Sequence, residues 1–277
     1  MHWLMKVPVS ILITLGMIAW GGAYTIFAEQ SKPAASSPPL VSLPANALTL
    51  PDFTAFPAGK ARKEAFFDYL LPIIEHINSQ LRVERYELQR VKEQVASQQA
   101  LSPSMQRTLE KMLQKYQVAE QNIEDQLAIL SRRIDIIPPS LALAQAANES
   151  AYGTSRFAVQ ANNLFGQWCF RKGCGLVPNS RIADANHEVR RFKTPADSVR
   201  SYMHNLNTNR AYILLRQMRS KQRLNDQIPQ GAVLVNALLK YSSRGQEYVD
   251  ELTSMMRFNK LSRHDDPMPL ADHNAGQ

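Results

Sequence analysis

The stretch from Ser140 to Trp168, SLALAQAANESAYGTSRFAVQANNLFGQW, constrains what this chain can fold into more than any other. Leu141, Ala144, Gln145 and Asn148 recur at helical spacing, and so do Leu143, Ala147 and Ala151. Apolar or small residues therefore lie on most sides of the helix, which predicts burial rather than a surface position. Pro138 and Pro139 precede it, Ser140 is the expected N-cap, and Gly153 is the expected stop. Towards its end the helix carries one carboxylate, Glu149. Burial disfavours the ionised form and raises a carboxyl pKa, which makes Glu149 a candidate general acid near neutral pH. The plainer alternative is a helix-end glutamate left in solvent.

The rest of the chain falls into segments. Val7–Ala28 is almost uninterrupted apolar or small sequence, long enough to span a bilayer. Residues 1–30 are therefore expected to be a signal anchor, with cleaved export as the second choice. Residues 31–58 are rich in Pro, Ser and Ala and predict an extended linker, because repeated prolines remove donors and block regular pairing. Within it, Leu48–Phe56 is apolar enough to dock on a later domain. Residues 59–133 predict a helical hairpin: one helix with the stripe Phe66, Phe67, Leu70, Leu71, Ile74, Ile77 and Leu81, and a second opened by Ser102 and Pro103. Pro72 is expected to kink the first helix or mark an early break. A second domain, 134–263, holds Glu149 and further helices beginning near Thr194, Ala211, Gly231 and Gly245. The polar tail 264–277 follows.

Between Trp168 and Thr194 the texture changes to glycines, prolines and alternating residues, which predicts a short hairpin or irregular lobe. Cys169 and Cys174 enclose it at one end. They are a disulfide candidate in an oxidising compartment, with free thiols as the alternative. Two cysteines cannot supply a four-ligand zinc site, the six histidines are scattered, and HEVRR lacks the second histidine of a zinc-protease helix. No metal and no cofactor is expected. Paired-carboxylate glycosidases need an acid and a second carboxylate from different segments of chain. Glu149 with Glu188 fits that logic, and Asp184 competes with Glu188. Phe165, Trp168, Tyr202, Tyr241 and Tyr248 are candidate walls of a sugar groove. The net charge of +8 suits an anionic partner, but without an RNP-like or helix-turn-helix pattern or a dense basic tract, nucleic acid is not the expected one.

The order of these residues carries more than their composition. AQAANESAYGTSRFAVQANNLFGQW resembles the active-site stretch of glycoside hydrolase family 73 glucosaminidase domains, found in bacterial peptidoglycan hydrolases. VRRFKTPADSVRSYMHNLNTNRAY resembles that family's F-(R/K)-x-(Y/T)-(S/P) stretch and the helix after it. YSSRGQEYVDEL resembles its YATDPxY stretch, although Ser242 and Ser243 replace Ala-Thr and Arg244 replaces the acidic residue. The likeness covers roughly 134–262 well and the N-terminal half loosely.

The resemblance implies a mainly α, lysozyme-like α+β catalytic domain with a small β-hairpin lobe, and no cofactor. It implies cleavage of the N-acetylglucosaminyl-β-1,4-N-acetylmuramyl bond of peptidoglycan glycan strands. Together with the apolar N-terminal stretch, this leads to the expectation of a single-pass inner-membrane anchor with the catalytic domain in the periplasm. Glu149 matches the family's general acid and Tyr241 its important tyrosine. Glu188 is the expected second carboxylate, and Tyr152, Asn163, Phe165, Trp168 and Tyr248 are the expected substrate contacts. Two rivals stand beside that reading: a lytic transglycosylase, which uses one glutamate as acid and then base, and a non-enzymatic wall-binding scaffold.

Overall fold

Helix α4 (Pro139–Ser150) lies at the centre of the protein, and every side chain from Pro139 to Ala147 is buried. Small residues allow close approach on several sides at once, so α4 packs against elements from both ends of the chain. The computed structural model describes residues 36–178 and 187–266. The expected anchor, the start of the linker, Asp184 and the end of the tail lie outside them. Among the described residues no helix is long and apolar enough to cross a membrane.

The start of α4 differs from expectation. Ser140 lies inside the helix and Pro138 precedes its first turn without a side-chain cap. The orphan N–H of Ser140 donates instead to Asp265 Oδ1 at 2.9 Å, while the Ser140 hydroxyl donates to Asp265 Oδ2 at 2.7 Å. Consecutive prolines supply no N–H of their own at this end, so a carboxylate brought from the far end of the chain serves it. The N–H of Gly231 joins the same carboxylate at 2.8 Å. A Cβ at Gly231 would stand 2.1 Å from the Ser140 Oγ, so no larger residue fits there.

Helix α1 (Lys60–Ala96) continues through Pro72, neither broken nor restarted. Its first half puts Phe66, Leu70, Ile73, Ile74 and Ile77 into the main core beside α4. Its second half puts Leu88 and Val91 into a smaller core with α2 (Pro103–Lys115) and α3 (Ile123–Arg133). The predicted second helix of the hairpin is thus two helices. Gln117 takes a positive φ, the Arg133 guanidinium binds the carbonyls of Tyr116 and Gln117, and the side chain of Asn122 caps α3. Ahead of α1, Phe53 docks edge-on against Phe66 and Tyr69 at ring separations of 5.3 and 5.7 Å. The same ring fills the space beside Gly153, where a Cβ would lie 2.4 Å away and φ is +78°.

After α4 come α5 (Arg156–Ala161) and a three-stranded antiparallel sheet of β1 (Trp168–Cys169), β2 (Gly175–Leu176) and β3 (Glu188–Arg190), in the order β1-β3-β2. The register pairs Trp168 with Val189 and Gly175 with Arg190. The expected hairpin becomes three strands because a Cys169–Cys174 disulfide turns the chain back so that β1 and β2 flank β3. Helices α6 (Pro195–Thr208), α7 (Ile213–Leu224), α8 (Gly231–Leu234) and α9 (Gln246–Phe258) complete the main core. Thr194 caps α6 as the Thr-Pro pair predicts, its hydroxyl accepting from the Asp197 N–H.

Candidate active site

Glu149 sits in the last turn of α4, half-buried, immediately before Ala151 and Tyr152 leave the helix with positive φ. A line of hydrogen bonds ends on it. Tyr202 Oη on α6 donates to Gln145 Oε1 at 2.6 Å, Gln145 Nε2 donates to Tyr248 Oη at 3.0 Å, and Tyr248 Oη donates to Glu149 Oε1 at 2.8 Å. The amide has separate donor and acceptor ends, so each tyrosine has one direction available for its single proton. Tyr248 therefore gives its proton to Glu149, and Oε1 is held as an acceptor. The other oxygen, Oε2, faces Gly166, where even an added Cβ would stand 3.6 Å away. The positive φ of +62° at Gly166 is a conformation that glycine enters without strain.

Burial is the largest influence on Glu149 and raises its pKa above the ordinary carboxyl value. The Tyr248 hydrogen bond and the Arg244 charge pull the other way, and Glu251 adds to the rise, so the net direction is upward. Arg244, the position that departs from the family pattern, pairs with Glu251 at 2.6 Å and lies 5.6 Å from the Tyr248 ring centre. Tyr241 stacks on Tyr248 at 5.7 Å and 2°, and its hydroxyl donates to the Phe165 carbonyl at 3.0 Å. Burial pushes the Tyr241 and Tyr248 phenols up, so both are neutral donors at physiological pH.

The expected site residues separate into several places. Glu149, Tyr241 and Tyr248 come together, but Tyr248 is fully buried and touches Glu149 rather than lining a sugar groove. Phe165 and Tyr202 are buried and stack on one another at 3.9 Å, so they shape the floor behind the site rather than line a sugar groove. Asn163 is also buried. Its amide donates to the carbonyls of Gln167 and Arg190, and its oxygen accepts from the Gln167 N–H, which ties the NNLFG turn to β3. Tyr152 is half-buried and packs edge-on against Phe66 and Phe67. Trp168, 58% exposed and stacked on His187 at 4.2 Å, is the expected contact that most clearly offers a face to a ligand.

Glu188 lies on β3, buried, with one oxygen accepting from the Gly173 N–H at 2.9 Å and the other from the Gly175 N–H at 2.8 Å. Both oxygens thus hold the turn that the disulfide closes. Cys169, Cys174 and Glu188 offer ligand atoms within 4.8 Å of one another, but both sulfurs are in the disulfide, which leaves no thiolate to hold a cation. Gln145, which bridges Tyr202 and Tyr248, is the member of this line that sequence reasoning did not place at the site. Its signal was available, since a position four residues before Glu149 lies on the same helical face.

A half-buried carboxyl on a central helix, with its pKa raised by burial and neutral tyrosines behind it, can hold a proton for donation near neutral pH. Residues 124–261 match the glucosaminidase family, described as mannosyl-glycoprotein endo-beta-N-acetylglucosaminidase, and the chain belongs to that family. Among individual proteins it is similar to Protein bax of Escherichia coli (strain K12), at 32% identity over 218 residues, which span 78% of this chain and 76% of that protein. No solved structure matches it. The matched region begins at the start of α3, so α1 and α2 lie outside it.

Proposed function

We propose that this chain is an exported peptidoglycan hydrolase that cleaves the N-acetylglucosaminyl-β-1,4-N-acetylmuramyl bond, anchored in the inner membrane through residues 1–30 with its catalytic domain in the periplasm. The observation that carries the reading is the directed hydrogen-bond line ending on Glu149. With Oε1 occupied by the Tyr248 proton, the transferable proton of the neutral carboxyl sits on Oε2, beside Gly166. From there it passes to the glycosidic oxygen as the C1–O bond breaks. The carboxylate left behind keeps the Tyr248 hydrogen bond and feels Arg244, which favour the charged form as it appears.

The engagement of both Glu188 oxygens by backbone N–H groups favours a route in which the N-acetyl oxygen of the substrate attacks C1. Water then opens that intermediate and returns a proton to Glu149. Tyr241, stacked on Tyr248, completes the wall behind the reacting sugar. Two measurements test the scheme. Mass spectrometry of digested sacculi is expected to give reducing-end N-acetylglucosamine, whereas 1,6-anhydromuramic ends would mean a lytic transglycosylase. Glu188→Gln, which keeps one acceptor oxygen for the turn, is expected to lower the melting temperature while retaining more than about a tenth of the turnover. A loss of 10²-fold or more with unchanged stability would make Glu188 the catalytic base after all.

A further inference from the structure

A groove of about 700 Å³ runs between the small sheet and α6, and its charges are unbalanced. Lys115, Arg190, Arg191, Lys193 and Arg200 line it, against a single carboxylate, Asp197. Lys115 is paired with Glu84, and Arg200 lies 3.5 Å from Asp197. Among the described residues no carboxylate pairs with Arg190, Arg191 or Lys193. The Arg191 guanidinium donates to the Gln160 carbonyl, and the Arg190 guanidinium lies 5.1 Å from the Phe192 ring centre. Like charges gathered on one wall raise the local concentration of anions and repel one another until an anion arrives.

We propose that this groove holds the carboxylates of the peptide stems carried by the glycan, an inference that rests on the hydrolase reading above. The groove is joined to the catalytic carboxyl by two consecutive residues. Gly166 faces Glu149 Oε2, and the next residue, Gln167, accepts from the hydroxyl of Ser201 on the groove wall at 2.7 Å. The Gln167 carbonyl also accepts from the Arg190 N–H at 2.8 Å. An extended stem spans roughly 3.4 Å per residue, and the Gly166–Gln167 link gives one hanging from a muramyl sugar near Glu149 a direction toward the groove.

Two other polyanions fit less well. Of the two rings that line the groove, Phe192 is buried beneath Arg190 and His204 is half-buried against Tyr116, which leaves little open ring surface for bases to stack on. No exposed apolar side chain lines the groove either, as insertion among lipid chains would require.

The test pairs binding with turnover on two substrates, peptide-bearing glycan and the same glycan stripped of peptides. The double variant Arg190→Gln/Lys193→Gln leaves the Arg191 contact and Asp197–Arg200 in place. In a Glu149→Gln background it is expected to weaken retention on peptide-bearing glycan roughly tenfold at low salt, an effect that shrinks as salt rises, with little change on stripped glycan. In the active chain the same double change is expected to lower turnover of peptide-bearing glycan and leave that of stripped glycan unchanged. Equal losses on both substrates, or no loss on either, would overturn the proposal. Displacement from peptide-bearing glycan by a single-stranded oligonucleotide or by anionic-lipid vesicles, but not by free stem peptide, would overturn it in favour of those ligands. Should the active chain cut neither glycan, the hydrolase reading fails, and the binding arm still decides what the groove holds.

Discussion

Replacing Glu149 with glutamine is expected to lower glycan turnover by about 10²–10⁴-fold, the range that a positioned general acid contributes. The substitution keeps the size of the side chain and the acceptor oxygen for Tyr248, so the line from Tyr202 through Gln145 stays filled. It removes only the transferable proton. Folding should respond in the opposite sense. The Glu149 carboxyl has a raised pKa in the folded state, so as pH climbs past the unfolded value the unfolded chain ionises first and stability is lost until the folded carboxyl also titrates. Above that window the native protein carries the full cost of a desolvated carboxylate, and below the unfolded value it carries none. Glu149→Gln is therefore expected to melt higher than wild type at pH 7, with the two curves converging near pH 3–4, where both side chains are neutral in either state. Melting curves at the two pH values, beside turnover at pH 7, check both halves. An inactive variant that also melts lower at pH 7 would mean that the change broke the local fold, and its inactivity would say nothing of acid catalysis.

The helix that carries this glutamate was legible because its signal is local. Small and apolar residues on every face have no use at a surface, and a helix composed of them belongs in a core. Capping by Ser102 and Thr194 is local in the same way, since each side chain reaches an N–H within its own first turn. What stayed hidden depends on partners distant in sequence. Asp265 caps α4 across 125 residues, and no pattern near Ser140 announces it. Phe165 and Tyr202 have the aromatic character of a sugar groove, and only their mutual stacking shows that they face inward. Glu188 stands in the kind of segment where a second carboxylate belongs. Its bonds to Gly173 and Gly175 exist only once the disulfide has folded the turn over β3. Pro72 does not break α1, because a helix packed along most of its length tolerates one missing hydrogen bond that would end a solvated helix.

The largest stability effect is expected far from Glu149, at Asp135. This carboxylate follows α3 and is buried among three arginines: Arg223 binds it with two hydrogen bonds of 2.8 and 3.1 Å, Arg85 lies at 3.5 Å, and Arg219 at 3.9 Å. Burial alone would push its pKa up, but the arginines together outweigh burial and hold it below the ordinary value. Arg219 is only 1% exposed, and burial pushes its own pKa down to about 10, so it is still charged at neutral pH. Asp135→Ala would leave that guanidinium inside the protein without a counter-charge, which costs about 3–5 kcal/mol. Against a whole-domain stability of roughly 5–15 kcal/mol, such a loss leaves a large unfolded fraction at 37 °C. Removing both partners, as Asp135→Leu/Arg219→Met, is expected to recover only part of it. Arg219 also donates to the carbonyls of Arg132, Asp135 and Ile136 and to the Asn207 amide oxygen, and these buried acceptors would lose their donor. Chemical denaturation of the single and double variants gives the coupling between the two side chains directly. Full recovery in the double variant would show that Arg219 acts only as a counter-charge and not as the clasp joining α3, α6 and α7. The sign with pH follows from the lowered carboxyl pKa. The stabilisation is complete above the unfolded value of about 4 and is lost as pH falls through the folded one, so acid should narrow the gap between wild type and Asp135→Ala.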